Sequence, residues 1–318
     1  VLLIDALDAR SDSVRIVESA GDICAHYLDS KWFVTIDNAD YEIADTAMEI
    51  LLNLLRVPIK YVYRCVDEDG IPLAEESINF WLKKQDLSFL IQKHDNDPMV
   101  TQVYPKSKLY LPSVKVNDLI LEYLKYDVDI PSFEIEDDIF NAVYVTKRAV
   151  SVFGEDYNIG VRVLFSDCFT ITPRFDGILY NNTNGSMFSW PTLGRKFRVA
   201  SSTIPQVIDQ IEEFLGLSIH GLGEILIPSL NSFKESNWQL IDAEAFVSRL
   251  CSDLRYSSHV KYELIKYCTQ TPNHMPHELL INISAYTNKL GDDTEITLEM
   301  AREIQIALSR YVVSGSFK

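Results

Sequence analysis

Two early stretches of the chain repeat apolar residues every three or four positions, the last third does so almost throughout, and short β-branched runs lie between. In Ala44 to Val57 the residues Ala47, Met48, Leu51, Leu52 and Leu55 share one helical face, with Asp45 as a cap and Pro58 as the stop. Leu73 to Lys84 repeats the pattern with Ile78, Trp81 and Leu82 inward, and Glu75 and Glu76 place negative charge in its first turn, where the helix dipole favours it. Upstream, Val14, Ile16 and Trp32 to Ile36 have the content of strands, and Asp37-Asn38 supplies turn chemistry. Leu87 to Ile91 and Met99 to Tyr104 flank Asp95-Asn96-Asp97-Pro98, which predicts a hairpin. Leu109 to Leu111 reads as a short strand and Val114 to Tyr123 as a helix.

From Phe133 to Trp190 the runs Ala142 to Val145, Val161 to Phe165 and Phe169 to Thr172, punctuated by Gly154, Gly160, Gly177 and Gly185, predict a β-rich centre. Behind a Ser202 or Thr203 cap, Ile204, Val207, Ile208, Ile211 and Leu215 return to the helical period, and Gly216 reads as the stop. Gly221 to Ser236, rich in Gly, Ser and Pro, reads as a loop before helices at Asp242 to Leu254, His259 to Cys268, Pro276 to Lys289 and Thr297 to Val313. The expected class is α+β, a central, mostly antiparallel sheet with N-terminal helices and a C-terminal helical layer. Residues 1–200 would form an α+β domain with a β-rich centre, and residues 201–318 a helical region packed on it or standing as a second lobe.

Composition narrows the classes. With 47% hydrophobic and 24% charged residues, the chain has the balance of a globular protein. No apolar run approaches the roughly 20 residues that span a bilayer, and Asp5 and Asp8 interrupt the apolar start, so the expectation is no membrane segment, no leader and a cytoplasmic setting. The five cysteines, Cys24, Cys65, Cys168, Cys251 and Cys268, are scattered and contain no C-x-x-C pair, which fits reduced thiols and disfavours a zinc knuckle. No phosphate-binding loop, dinucleotide fingerprint or serine elbow occurs, so an enzyme reading lacks support and no cofactor is expected.

The net charge of −17 opposes wholesale binding to a polyanion, but it is uneven. Residues 141–200 hold seven bases against four acids, a local +3 that leaves −20 elsewhere. Within that segment Lys147, Arg148, Arg162, Arg195, Lys196 and Arg198 lie near Phe188, Trp190 and Phe197 in sequence, and Lys106 and Lys108 could extend a groove. Cations neutralise phosphates while aromatic faces stack on bases, which is how single-strand binders work. The competing reading makes Phe188 and Phe197 core and packs Trp190-Pro191 into a loop. Two metal possibilities are weaker. His274 and His277, with His259 or Asp253, lack the H-E-x-x-H spacing because position 281 is Ile, and the acidic run Glu134, Glu136, Asp137 and Asp138 is the pattern of a solvated edge.

Several stretches, in order, resemble a family of phage and plasmid-like proteins that carry a domain of unknown function. Tyr41 to Ala47 leading to Leu54-Leu55-Arg56-Val57-Pro58-Ile59-Lys60-Tyr61 is similar to the family's early helix and its Pro-x-x-Tyr step. Asn79-Phe80-Trp81-Leu82, then strands to Tyr104-Pro105, resembles its next segment, although Lys106-Ser107-Lys108 stands where a serine-bearing approach to the tyrosine is expected. Gly160 to Asp167 and Ile281 to Tyr286 resemble a strand and a late helix, and Asn184-Gly185 resembles a turn while lacking its arginine and cysteine. The resemblance covers residues from about 31 to the end and implies a phage or mobile-element origin, with roles in DNA metabolism or dealings with the host.

The leading expectation is therefore a non-enzymatic phage-type protein of DNA metabolism that binds single-stranded nucleic acid through the central β region, with homo-oligomers conceivable. The alternative is an acidic interaction factor, a virion component or a modulator of a host machine, steered by its charge to a basic host or phage protein.

Overall fold

The computed structural model describes residues 3, 5–7, 15–18, 23–94, 97–125, 127–136, 139–192, 197–199, 202–235, 243–270, 275–288 and 297–314. The strand signals before residue 105 form a six-stranded sheet of β1 (Arg15–Glu18), β2 (Cys24–Leu28), β3 (Lys31–Ile36), β4 (Ala39–Ile43), β5 (Leu87–His94) and β6 (Asp97–Pro105), in the order β1-β5-β6-β4-β3-β2. Asp29-Ser30 and Asp37-Asn38 have positive φ of 49° to 66°, the two-residue geometry that matches the twist of paired strands and joins β2 to β3 and β3 to β4. Only β4 and β6 run parallel, because the chain leaves β4 for three helices before returning.

Those helices are α1 (Asp45–Leu55), α2 (Ile59–Asp67) and α3 (Ile71–Leu82). Leu51 and Leu52 of α1, Val62 of α2, and Ala74 and Ile78 of α3 bury against Val34, Ile36, Phe89 and Val103 of the sheet. α2 was not foreseen from the sequence: only Val62 and Cys65 of it are buried, too few to write a helical period. α3 also seals the sheet's edge. Asn79 accepts the Ala25 N–H at 2.7 Å and donates to the Ala25 carbonyl at 2.8 Å, while Glu75 accepts the Tyr27 N–H at 2.7 Å, which occupies edge groups of β2 that would otherwise be open to a further strand.

The expected central sheet is thus divided, with β5 and β6 in the first sheet and the strands after residue 127 in a second. The latter are β7 (Val128–Glu136), β8 (Ile139–Val152), β9 (Glu155–Ser166), β10 (Arg174–Tyr180) and β11 (Met187–Pro191), antiparallel throughout in the order β11-β10-β9-β8-β7. The α+β class and the mostly antiparallel pairing hold. Leu109 to Leu111 is not a strand but a connector into α4 (Ser113–Leu124), held by the Leu111 N–H on the Asp167 carbonyl.

On one face of the second sheet, Phe140, Tyr144, Val161 and Phe165 pack on Val116 and Ile120 of α4 and on Val207, Ile211 and Leu215 of α5 (Ile204–Gly221). α5 starts as the sequence predicts, with the Thr203 N–H bonded to the Gln206 side chain at 2.8 Å. It does not stop at Gly216. The helix passes through a π turn at Leu222–Leu226 into α6 (Ile227–Glu235), where a loop was expected. Pro228 has no N–H to offer and would crowd the carbonyl four residues back. The wide turn, in which the Ile227 N–H reaches the Leu222 carbonyl, loosens the coil just before it.

Leu222, Leu226 and Leu230 meet Tyr157, Leu179, Phe188 and Trp190 in a second core shared with α7 (Ala243–Asp253), α8 (Ser258–Gln270), α9 (Pro276–Asn288) and α10 (Leu298–Ser314). The helices after residue 203 therefore share cores with β8 to β11 and pack on them directly. Gly177 permits the closest approach: a Cβ there would stand 2.6 Å from the Ser218 carbonyl oxygen of α5. α9 closes β11 as α3 closes β2, through Ser284 Oγ, which accepts the Met187 N–H at 2.6 Å and donates to the Met187 carbonyl at 2.5 Å. No helix of the described residues is long and apolar enough to cross a membrane.

Candidate functional site

The cations selected from the sequence occupy separate places. Lys106 and Lys108 are exposed in the turn after β6, three residues before the contact of Leu111 with the far end of β9. Lys147 and Arg148 are exposed on β8 opposite the beginning of β9, and Lys147 is paired with Asp127 at 2.5 Å. Arg198 is exposed beside α5, where its backbone N–H bonds Gln210 at 2.8 Å. Arg195 and Lys196 lie outside the described residues.

Two of the selected residues are corrected by their burial. Trp190 is 5% exposed, and its ring lies against Gly221 so closely that a Cβ there would meet it at 2.6 Å, leaving no face for a base. Arg162 is 6% exposed and points to the interior of the sheet's other face, not to solvent. Phe188 and Phe197 are buried as well, so the competing reading of this segment describes the packing.

Around Arg162 the second sheet carries a charged layer. Arg302 of α10 grips the Asp176 carboxylate with two nitrogens, Nε on Oδ2 and Nη2 on Oδ1 at 3.1 Å, and reaches Glu299 at 3.2 Å, which also pairs with Arg174. Arg162 faces Asp176 in the strand register, but its hydrogen bonds go to Gln305 Oε1 at 3.0 Å and Met187 Sδ at 3.3 Å. Burial pushes its guanidinium down to about 10, against the pull of Asp176.

The largest concentration of exposed apolar surface lies elsewhere, on α2 and α3. Of eleven large hydrophobic side chains exposed among the described residues, Tyr61, Tyr63, Leu73, Phe80 and Trp81 of these two helices make up five. Leu73 and Phe80 are seven residues apart and so share one stripe of α3, and the Tyr61 hydroxyl reaches the Leu73 carbonyl at 3.5 Å from the neighbouring helix. Phe80 and Trp81 stand edge to face at 5.2 Å, and the Lys84 ammonium sits over Phe80 at 3.6 Å and near Trp81 at 5.1 Å. Trp81, expected to point inward, is 42% exposed, because Ala74, Ile78 and Leu82 already fill the inward face.

Acids border this stripe. Residues 59–84 contain five acids, Asp67, Glu68, Asp69, Glu75 and Glu76, against Lys60, Arg64, Lys83 and Lys84, a local −1. Desolvation raises the Tyr63 phenol first, followed by the charges of Glu49 and Asp45. The sequence signal was present in Phe80, seven positions from Leu73 and off the Ala74-Ile78-Leu82 face. It was masked by assigning Trp81 to the core.

His277 packs against Phe153 at 5.5 Å, and His274, Asp137 and Asp138 lie outside the described residues. Among the described residues no three His, Cys, Asp or Glu side chains come together as a metal site would need. Comparison with known proteins returns no matching family model, no matching curated protein and no matching solved structure.

Proposed function

We propose that this chain is an interaction protein that docks its α2 and α3 face on a basic surface of another protein, of host or phage origin. The observation that carries the reading is the exposed stripe Tyr61, Leu73, Phe80 and Trp81, with Glu75 and Glu76 on the same helix. An apolar patch rimmed by charge is the usual form of a protein-binding surface, and aromatic residues are its usual anchors. Arginine suits such a surface because its plane stacks on a ring while its charge meets carboxylates. The ring of Phe80 already holds a cation of its own chain in Lys84. The net charge of −17 would speed encounter with a basic partner and slow it with nucleic acid.

The test is binding of a labelled arginine-rich peptide, with a glutamate-rich peptide and labelled oligothymidine as comparators. The arginine peptide is expected to bind, with affinity falling about tenfold or more in a Phe80→Ser, Trp81→Ser variant that keeps its fold. Tight binding of oligothymidine that is lost in Arg198→Ala and untouched by the Phe80 and Trp81 changes would instead return the chain to the single-strand reading.

A further inference from the structure

On the side of β7, β8 and β9 that carries Arg162, the packing of α10 leaves two neighbouring openings. A small cavity of about 30 Å³ lies there, lined by Ser132, Phe133, Asn141, Val143 and Arg162. Asn141 also lines a neighbouring groove of about 610 Å³ whose walls include Ile139, Leu164 and Ile171, with Arg174, Glu299 and Glu134 among its polar groups. The cavity has room for about two water-sized groups, the count of oxygens in one carboxylate.

We infer that this face binds an organic carboxylate, with its head in the cavity at Arg162 and its hydrocarbon body in the groove over Ile139, Leu164 and Ile171. The argument begins with charge. Arg162 is buried, yet both oxygens of its cross-strand neighbour Asp176 are held by Arg302, and the guanidinium contacts an amide oxygen and a thioether sulfur. No carboxylate among the described residues forms an ion pair with it. A buried cation without a paired anion is costly, and an anion delivered to the cavity would recover that cost. The acids nearby do not compete equally: Glu299 is held by Arg174 and Arg302, and Glu134 is exposed on β7. Ser132 and Asn141 supply neutral donors beside the guanidinium, and the apolar groove residues favour a ligand with a hydrocarbon part over a bare inorganic ion.

The experiment uses the full chain with acetate, butyrate and hexanoate, each against sodium chloride of equal ionic strength, followed by calorimetry and by the melting temperature. Hexanoate is expected to bind and to raise the melting temperature, and affinity should rise from acetate to hexanoate by up to about fourfold for each methylene that reaches the groove. Arg162→Met should abolish the binding. Asn141→Asp, nearly isosteric, should place a carboxylate in the cavity, raise the melting temperature of the free protein and remove hexanoate binding. Should Arg162→Met fail to fold, Asn141→Asp decides, and retained hexanoate affinity in it overturns the inference. So does equal binding of hexanoate by Arg162→Met, no binding by the wild-type chain, or a preference for hexylammonium, which would assign the groove to Glu134. The α2 and α3 face takes no part in this site, so Phe80→Ser should leave hexanoate binding unchanged whatever becomes of the arginine-peptide test.

Discussion

The first sheet packs an apolar face on its helices, buries no charged side chain among its described residues and shows an aromatic cluster outward on α2 and α3, whereas the second sheet draws Arg162, Asp176 and most of Arg302 inside and exposes its large apolar side chains, such as Tyr123, Ile225 and Tyr262, on separate elements. Each inverts the usual rule in one place, and the inversions differ in kind. An outward aromatic stripe costs the folded chain little and gains by being covered. An inward charge costs a great deal unless each group is matched, so its partners must be built in or brought in. The two proposals follow this contrast, one setting a macromolecule on the outward surface and the other a small ion in the inward cavity.

The sharpest way to break this contrast is to cut the charged layer. Arg302→Ala leaves Asp176, 3% exposed, without its partner, and should destabilise the fold by about 3–5 kcal/mol in urea unfolding. Replacing both Arg302 and Asp176 by apolar residues of similar size should cost much less than the sum of the single changes. A loss below about 1 kcal/mol for Arg302→Ala would mean that the layer is solvated and the two sheets are not opposites.

Backbone proximity in the second sheet gives the next effect. A Cβ on Gly160 would stand 2.1 Å from the Tyr144 carbonyl oxygen and 3.0 Å from Ile178 Cγ1, so Gly160→Ala should cost about 1–3 kcal/mol or more, read by the same unfolding curves. In the first sheet, Asn79→Ala removes the clasp on Ala25 and should cost about 1–3 kcal/mol. It should also unmask the β2 edge, and a rise in concentration-dependent association by light scattering checks that. Smallest is Phe80→Ser, expected within about 0.5 kcal/mol of wild type, since a ring already in water has little to lose.

Acid should act on the second sheet's side through His277. Burial, then Lys234, lower its imidazole below the ordinary value, so the unfolded chain binds the proton more readily than the folded one. Stability from this group is present above the unfolded value and is lost as pH falls through it toward the folded one. Melting temperatures measured from pH 7 down to about pH 5 should fall, and His277→Gln should flatten that part of the curve.

How far the sequence carried this picture depended on what each residue does with its neighbours along the chain. The faces of α1 and α5 were legible because Leu51, Leu52 and Leu55, or Val207, Ile211 and Leu215, write their own period. The α+β class followed from those periods and the β-branched runs. The division into two sheets was not legible, because nothing in β5 or β6 states that their partners are β1 and β4 and not the strands that follow. Trp190 illustrates the same limit for the site: beside a run of cations it resembles a stacking platform, and only Gly221, thirty-one residues away, shows that its ring is enclosed. Arg162 looked like a surface cation because one charge in an alternating strand points outward by default, and it is α10, over a hundred residues later, that covers it.

The helical coil that begins at Ile204 and runs without a break through the π turn to Glu235 reaches both cores of the second sheet, one through Ile211 and Leu215 and the other through Leu226 and Leu230. At 1.5 Å per residue it is about 48 Å long, and it joins the two clusters of side chains by one continuous hydrogen-bonded element. The expectation is that the two cores open together as one cooperative unit. Amide protons near Ile211 and near Leu230 should exchange with deuterium through a common opening event, at matching free energies, while those of α2 exchange earlier and on their own.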